Sequence, residues 1–179
     1  MGTSERQDQF EIQFNLDALQ RIKPAEITDL TERATAATFY RDGLTSAQIA
    51  ANQRIVAISA PSCLAAAQND HQHLAAAFAG GRLAGYVIAT KHGGNDLELD
   101  WLMVDPIYHG SSASTTLMQA GIDWLGSAKP LWLNVIRYNE RAIRFYKKFG
   151  FEIDPDATTS HATPHWVMRR PPILEFDRR

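Results

Sequence analysis

Side chains of three kinds between Leu97 and Phe151 have the types and spacing to do chemistry. Tyr146 lies on a helical stretch one turn beyond Ala142 and Ile143, where its phenol can hand a proton to a leaving group. Glu98 and Asp100 alternate with their neighbours in Leu97-Glu-Leu-Asp-Trp101. An extended chain turns both carboxylates to one face, and Leu97, Leu99 and Trp101 to the other. Carboxylates so placed attract a cationic amine or take a proton from it. His109-Gly-Ser-Ser-Ala-Ser114 is a turn that enters a helix. Amides at a helix start are unpaired and sit at the positive end of the dipole, so a phosphate-sized anion binds there. Gly110 permits a tight turn, and Ser111, Ser112 and Ser114 add hydroxyl donors. A site for a phosphorylated carrier, a proton donor and an acidic face together point to acyl transfer. Each also has a plainer reading: a serine-capped helix, a tyrosine packed with its hydroxyl at a rim, two solvated carboxylates on an exposed strand.

The elements that must position these groups follow from apolar spacing. Phe10, Ile12 and Phe14 alternate and predict an edge strand or an arm within residues 1–15, and Leu16 to Ile22 reads as a first strand stopped by Pro24. Ile27, Leu30, Ala34 and Ala37 keep a helical period up to Arg41-Asp-Gly43. Thr45 or Ser46 caps a second helix through Ala60, before Pro61. His73 to Ala79 and Arg82 to Lys91 predict a hairpin around Gly80-Gly81, with His92-Gly-Gly-Asn95 as the next turn. Then come a strand over Leu97–Val104, a helix from Ser114 to Gly126, a strand over Leu131–Val135, a helix from Asn139 to Phe149, and strands over Phe151–Asp154 and His165–Arg169. The order predicts an α/β (α+β) fold: a mixed sheet with helices on both faces.

Composition narrows the function. A chain of 179 residues with 45% hydrophobic and 21% charged residues suits one globular domain, residues 1–179, with 1–15 as an N-terminal extension. A net charge of −2 gives no reason to expect nucleic acid or an anionic membrane as partner. The lone cysteine, Cys63, sits in an apolar helical context, excludes an internal disulfide and fits a reducing cytoplasm. No apolar run reaches bilayer length, and the polar N-terminus lacks a secretory core, so a cytoplasmic location is expected. His71-x-His73 and His161-x-x-x-His165 have metal-like spacing but no third ligand nearby, so no metal site is expected.

The segment Asn139, Ala142, Phe145, Tyr146, Gly150, Phe151 matches in full the pattern Asn-x-x-Ala-x-x-Phe-Tyr-x-x-x-Gly-Phe of the GNAT superfamily of N-acetyltransferases, and the chain resembles that family. Val104-Asp-Pro106 matches the end of the family strand that precedes its pyrophosphate turn, here His109 to Ser114. His109 stands where the family has Gln or Arg, Ser112 where it has its first glycine, and Ser114 where it has Gly or Ala. The resemblance covers residues 80 to 170 and implies a GNAT-like, mostly antiparallel twisted sheet with helices on both faces. It implies acetyl-CoA as co-substrate, held by Met103, Val104, His109, Gly110, Ser111, Ser112, Ala113, Ser114, Asn139 and Tyr146. A strand amide near Val104 would hold the thioester oxygen, and Asp105 with the strand edge would run along the pantetheine arm. Tyr146 would protonate the leaving sulfur, and Glu98, Asp100 or a water between them would take the proton of the amine. The acceptor, a small amine or a peptide amine, would lie against the helices between residues 30 and 60 and the loop Asp156 to Pro164. A homodimer is a further expectation. The alternative is a catalytically silent module of the same fold that binds CoA or another ligand; a longer acyl donor is another.

Overall fold

The structure, a computed structural model, describes residues 9–173. Its elements are β1 (Glu11–Phe14), α1 (Asn15–Leu19), α2 (Pro24–Phe39), α3 (Ser46–Gln68), β2 (Gln72–Ala79), β3 (Arg82–Gly93), β4 (Asp96–Val104), a short 3-10 turn (Pro106–Tyr108), α4 (Ala113–Leu125), β5 (Leu131–Ile136), α5 (Glu140–Lys148), β6 (Glu152–Asp154) and β7 (His165–Arg170). The strands form a seven-stranded sheet in the order β1-β2-β3-β4-β5-β7-β6. Every neighbouring pair is antiparallel except β4 and β5, which are parallel. A parallel pair needs a crossover, and α4 supplies it.

Each sheet face buries its own core. Val87, Leu97, Leu99, Leu133, Val135 and Met168 pack with Leu117, Met118 and Ile122 of α4, and with Ile143 and Tyr146 of α5 at the margin. Leu74, Ala76, Tyr86 and Ile88 pack on the other face with Ala18, Ile27, Leu30 and Cys63 from α1 to α3. The expected mixed sheet with helices on both faces is therefore present, and β1 is the edge strand anticipated around Ile12. The rest of the expected extension, residues 1–8, lies outside the described residues.

Local expectations fail at two places in the N-terminal part. Residues 16–22 do not form a strand but enter a short helix. Asn15, at φ 49°, breaks the extension of β1, and its Oδ1 accepts from the Leu74 amide at 3.0 Å. Ala18 and Ile22 reach the core while Leu16 and Gln20, which a strand would turn to the same face, stay exposed. The second helix does not stop at Ala60 but continues through Pro61 to Gln68. Proline removes one amide and crowds the carbonyl four residues back. Val56, Ser59, Cys63 and Ala66 are all buried along this helix, and that burial carries it past the interruption. Its start is the reciprocal pair Gln48 N to Thr45 Oγ1 at 3.2 Å and Thr45 N to Gln48 Oε1 at 2.9 Å.

Candidate active site

The sheet opens at its one parallel junction. β4 and β5 pair only at Glu98 and Trp132, and beyond that point each strand keeps its other neighbour alone. The Asp105 amide donates to Ala84 O at 2.9 Å, toward β3. Strand alternation then turns the Met103 amide toward β3 as well, and the amides of Leu102 and Val104 toward the opening. The Met103 side chain packs in the α1–α3 core. Asp105 does not line an arm: it is 2% exposed, accepts from the Ile107 amide at 3.1 Å and pairs with Arg33 Nη2 at 2.7 Å. Its role is to pin the end of β4 to α2.

Past Asp105 the chain turns through Gly110, at φ 84°, into α4. Ser111 Oγ donates to Tyr108 O at 2.6 Å and accepts from the Ala113 amide at 3.2 Å. Ala113 is fully buried, so its side chain belongs to the core and only its backbone borders the turn. The amides of Ser114 and Thr115 have no acceptor among the described residues, and the first turn of α4 carries no acid. Ser112 is the residue before the helix and Ser114 is half-buried in its first turn. His109 is exposed at the mouth, where Arg141 Nη1 donates to its Nδ1 at 2.5 Å. Burial and the guanidinium hold the imidazole below its usual range, so it stays neutral. These residues fit a diphosphate: orphaned amides, a cation alongside and no acid in the first turn of the helix.

Asn139 begins α5, its Oδ1 accepting from the Ala142 amide at 3.2 Å. One face of this helix brings Tyr146 against Phe145 and Phe151, at ring-centroid distances of 5.6 Å and 6.4 Å. The tyrosine hydroxyl has no hydrogen-bond partner among the described residues, and burial pushes it up to about 12. It therefore keeps its proton at any ordinary pH.

The acids lie on the opposite face of the sheet, gathered by two irregularities. Ile88 pairs with Trp101 but Ala89 with Leu99, which leaves Asp100 as an extra residue on β4. Lys91 pairs with Leu97 but Gly93 with Asp96, which leaves His92 extra on β3. A bulge re-aims side chains, and Glu98 sits between these two. Its Oε2 lies 2.6 Å from His92 Nε2, and it is only 6% exposed. Burial raises its pKa, partly offset by His92. Asp100 is solvent-accessible yet walled in by protein, and burial followed by the Glu98 charge pushes it up to about 7. Water reaching it moderates that push without changing its sign.

The acids therefore do not form the solvated pair of the plainer reading, nor does β4 lie at an edge. The first bulge also corrects the expected alternation: Trp101 packs on the α1–α3 face, opposite to Leu97 and Leu99. His92 was expected only as part of a turn, and no periodicity marks it as a partner of Glu98.

Beyond this cluster an open groove of about 850 Å³ runs along Trp132 and Asn134 of β5, Asp96, and the loop from Asp156 to His161. Residues 156–161 of that loop line it, and the helices between residues 30 and 60 do not. α3 instead buttresses the loop through Gln48 Nε2 to Ala162 O at 3.1 Å and Thr163 Oγ1 to Asn52 Oδ1 at 3.1 Å. Asn134 Oδ1 is buried with no hydrogen-bond partner among the described residues. Its alternation with Leu133 and Val135 on β5 marks the face but not this vacancy in hydrogen bonding.

Residues 31–151 match the Acetyltransferase (GNAT) family. An uncharacterized N-acetyltransferase of Mycobacterium bovis is 39% identical over an alignment of 97 residues that covers 50% of this chain and 61% of that protein. One from Mycobacterium tuberculosis strain H37Rv matches over the same lengths at the same identity. This chain thus spans 61% of the curated relatives it matches. The PaiA N-acetyltransferase of Thermoplasma acidophilum, crystallised with coenzyme A, superposes at a TM-score of 0.71 with 18% identity, over 91% of this chain and 99% of that one. The protein PH1933 of Pyrococcus horikoshii superposes at 0.67 with 18% identity, over 92% of this chain and 100% of that one. At such identity the two structures establish a shared fold. The family match runs from α2 through the Tyr146 helix to Phe151, more than half of the sequence, and the chain belongs to the Acetyltransferase (GNAT) family.

Proposed function

We propose that this chain is one acetyltransferase domain that moves an acetyl group from acetyl-CoA to a primary amine, by direct attack within a ternary complex. Acetyl-CoA supplies the acetyl group already activated as a thioester. The amides of Ser114 and Thr115 and the His109–Arg141 pair hold its phosphates, with Gly110, Ser111 and Ser112 shaping the turn. The amides of Val104 and Leu102 face the opening and donate to the carbonyl oxygen, in the manner of an oxyanion hole. Tyr146 Oη holds a proton for the departing sulfur. Glu98 or Asp100 takes the proton of the amine, directly or through water, and Asn134 Oδ1 accepts an N–H that orients it.

The observation that carries this reading is the opening between β4 and β5. It separates an unpartnered phenol on the α4–α5 face from a carboxylate cluster on the other face, with strand amides aimed into the gap. On this reading donor and base approach one centre from opposite sides, as direct transfer requires. Titration calorimetry with acetyl-CoA and with CoA, then a thiol-release assay over a panel of primary amines, tests it. Binding of both nucleotides, with thiol released only in the presence of an amine, is the expected result. Tight binding with no turnover on any amine would make the chain a silent CoA-binding module, and no binding at all would overturn both readings.

A further inference from the structure

Among the described residues His92 is the single hydrogen-bond partner of the Glu98 carboxylate. The Glu98 side chain is 8% exposed and the His92 side chain 42%, so the imidazole spans the distance from a buried acid to bulk water. Its placement is built, not incidental. The β3 bulge delivers it to the Glu98 face, and the ring stacks on Trp132 with centroids 6.0 Å apart. Trp132 is in turn fixed by its indole N–H, which donates to Asp96 Oδ1 at 2.6 Å. The other charged groups around it are Asp96 and Asp100 of β4 and Lys129, whose Nζ lies 3.4 Å from Gly94 O. Lys91 turns to the opposite face, 4.1 Å above the Trp124 ring.

We propose that His92 is a positioning residue that carries to solvent the proton Glu98 takes from the acceptor ammonium. The inference rests on the acetyl-transfer reading above. An N–H bond of the ammonium breaks as an O–H bond forms on Glu98, and the nitrogen keeps the electron pair. The carboxyl proton then passes to His92 Nε2, giving an imidazolium beside a carboxylate. The imidazolium loses its Nδ1 proton to water, which restores both charges, and exchange of the ring protons with water then returns the Nδ1–H tautomer whose Nε2 is free to accept again. Without the imidazole the proton stays on a buried acid that water reaches poorly, and the next amine meets a spent base.

Two variants, His92→Ala and His92→Gln, are compared with the wild type on the most active amine of the panel, across pH. His92→Ala is expected to lower kcat by roughly a hundredfold near neutrality with KM for acetyl-CoA unchanged, and added imidazole is expected to restore part of the rate. His92→Gln keeps a hydrogen-bond donor but cannot titrate, so it is expected to share the loss and to lack the pH dependence of the wild type. A Gln variant with the wild-type rate and profile would show that only the hydrogen bond matters and would overturn the proposal. An inactive wild type would instead sink the acetyl-transfer reading itself.

Discussion

At the scale of single residues, burial acts on the Tyr146 phenol and on any sulfur brought beside it in the same direction. In water the phenol and thiol differ by roughly 1.5 pKa units, and surroundings that push Tyr146 up to about 12 raise a neighbouring thiol as well. The donor thus stays matched to the group it serves. Tyr146→Phe keeps the ring contacts with Phe145 and Phe151 and removes the proton. We expect kcat to fall by about a hundredfold with acetyl-CoA affinity unchanged by calorimetry; equal turnover would remove Tyr146 from the chemistry. Asp100 makes a different kind of statement, about stability. Its pKa is raised from 3.8 to about 7, so between those values the folded chain keeps a proton that the unfolded chain has released. The stability this proton contributes is complete below the lower value and is lost as pH rises through the window. Asp100→Asn, with nothing to ionise, should gain on the wild type as urea midpoints are followed upward through that range. Parallel curves would mean that Asp100 ionises freely in the fold.

Among elements, contact between α4 and the sheet depends on two glycines that differ in what blocks them. A Cβ on Gly85 would meet Met103 O at 2.6 Å and Leu117 Cδ1 at 2.9 Å. A Cβ on Gly121 would meet Leu99 Cδ2 at 2.5 Å, the end of a flexible side chain. A backbone carbonyl in the β3–β4 ladder cannot step aside without moving the strand that borders the opening. Gly85→Ala should therefore cost about 1–3 kcal/mol, whereas Gly121→Ala recovers up to about 1 kcal/mol of helix propensity against its clash. Urea unfolding of the two variants checks the order, and an equal cost would mean that Leu99 is as rigid as the backbone. The same distinction governs what was legible beforehand. A helical period is regular, so Asn139, Ala142 and Tyr146 could be placed on their faces from spacing alone. Strand alternation fails wherever a bulge inserts a residue, which is why it puts Trp101 on the wrong face. For the same reason His92 passed for a turn residue, although its side chain joins Glu98 across the sheet. Pro61 is a local stop signal that long-range burial overrides.

Across the whole molecule, the four strands β1–β4 share a single backbone pairing with the three strands β5, β7 and β6, Glu98 with Trp132. A ligand lying in the opening, with phosphates on the α4 amides and its arm against Leu102 and Val104, adds a bridge between the two halves that the free chain lacks. Binding to the folded state alone stabilises by about 2.7 kcal/mol at a hundredfold excess over Kd. For a chain of this size that corresponds to a rise in Tm of roughly 5–10 °C. Hydrogen exchange should slow most at β4 and β5, where that bridge replaces missing pairing, and the gain should shrink with added salt because phosphate contacts are partly electrostatic. Ser114→Glu places a carboxylate in the first turn of α4, where none stands now, and should abolish both effects while leaving the unliganded Tm nearly unchanged, since acids suit a helix start. A ligand-induced rise that survives Ser114→Glu would put the nucleotide elsewhere on the protein and detach the α4 turn from acetyl transfer.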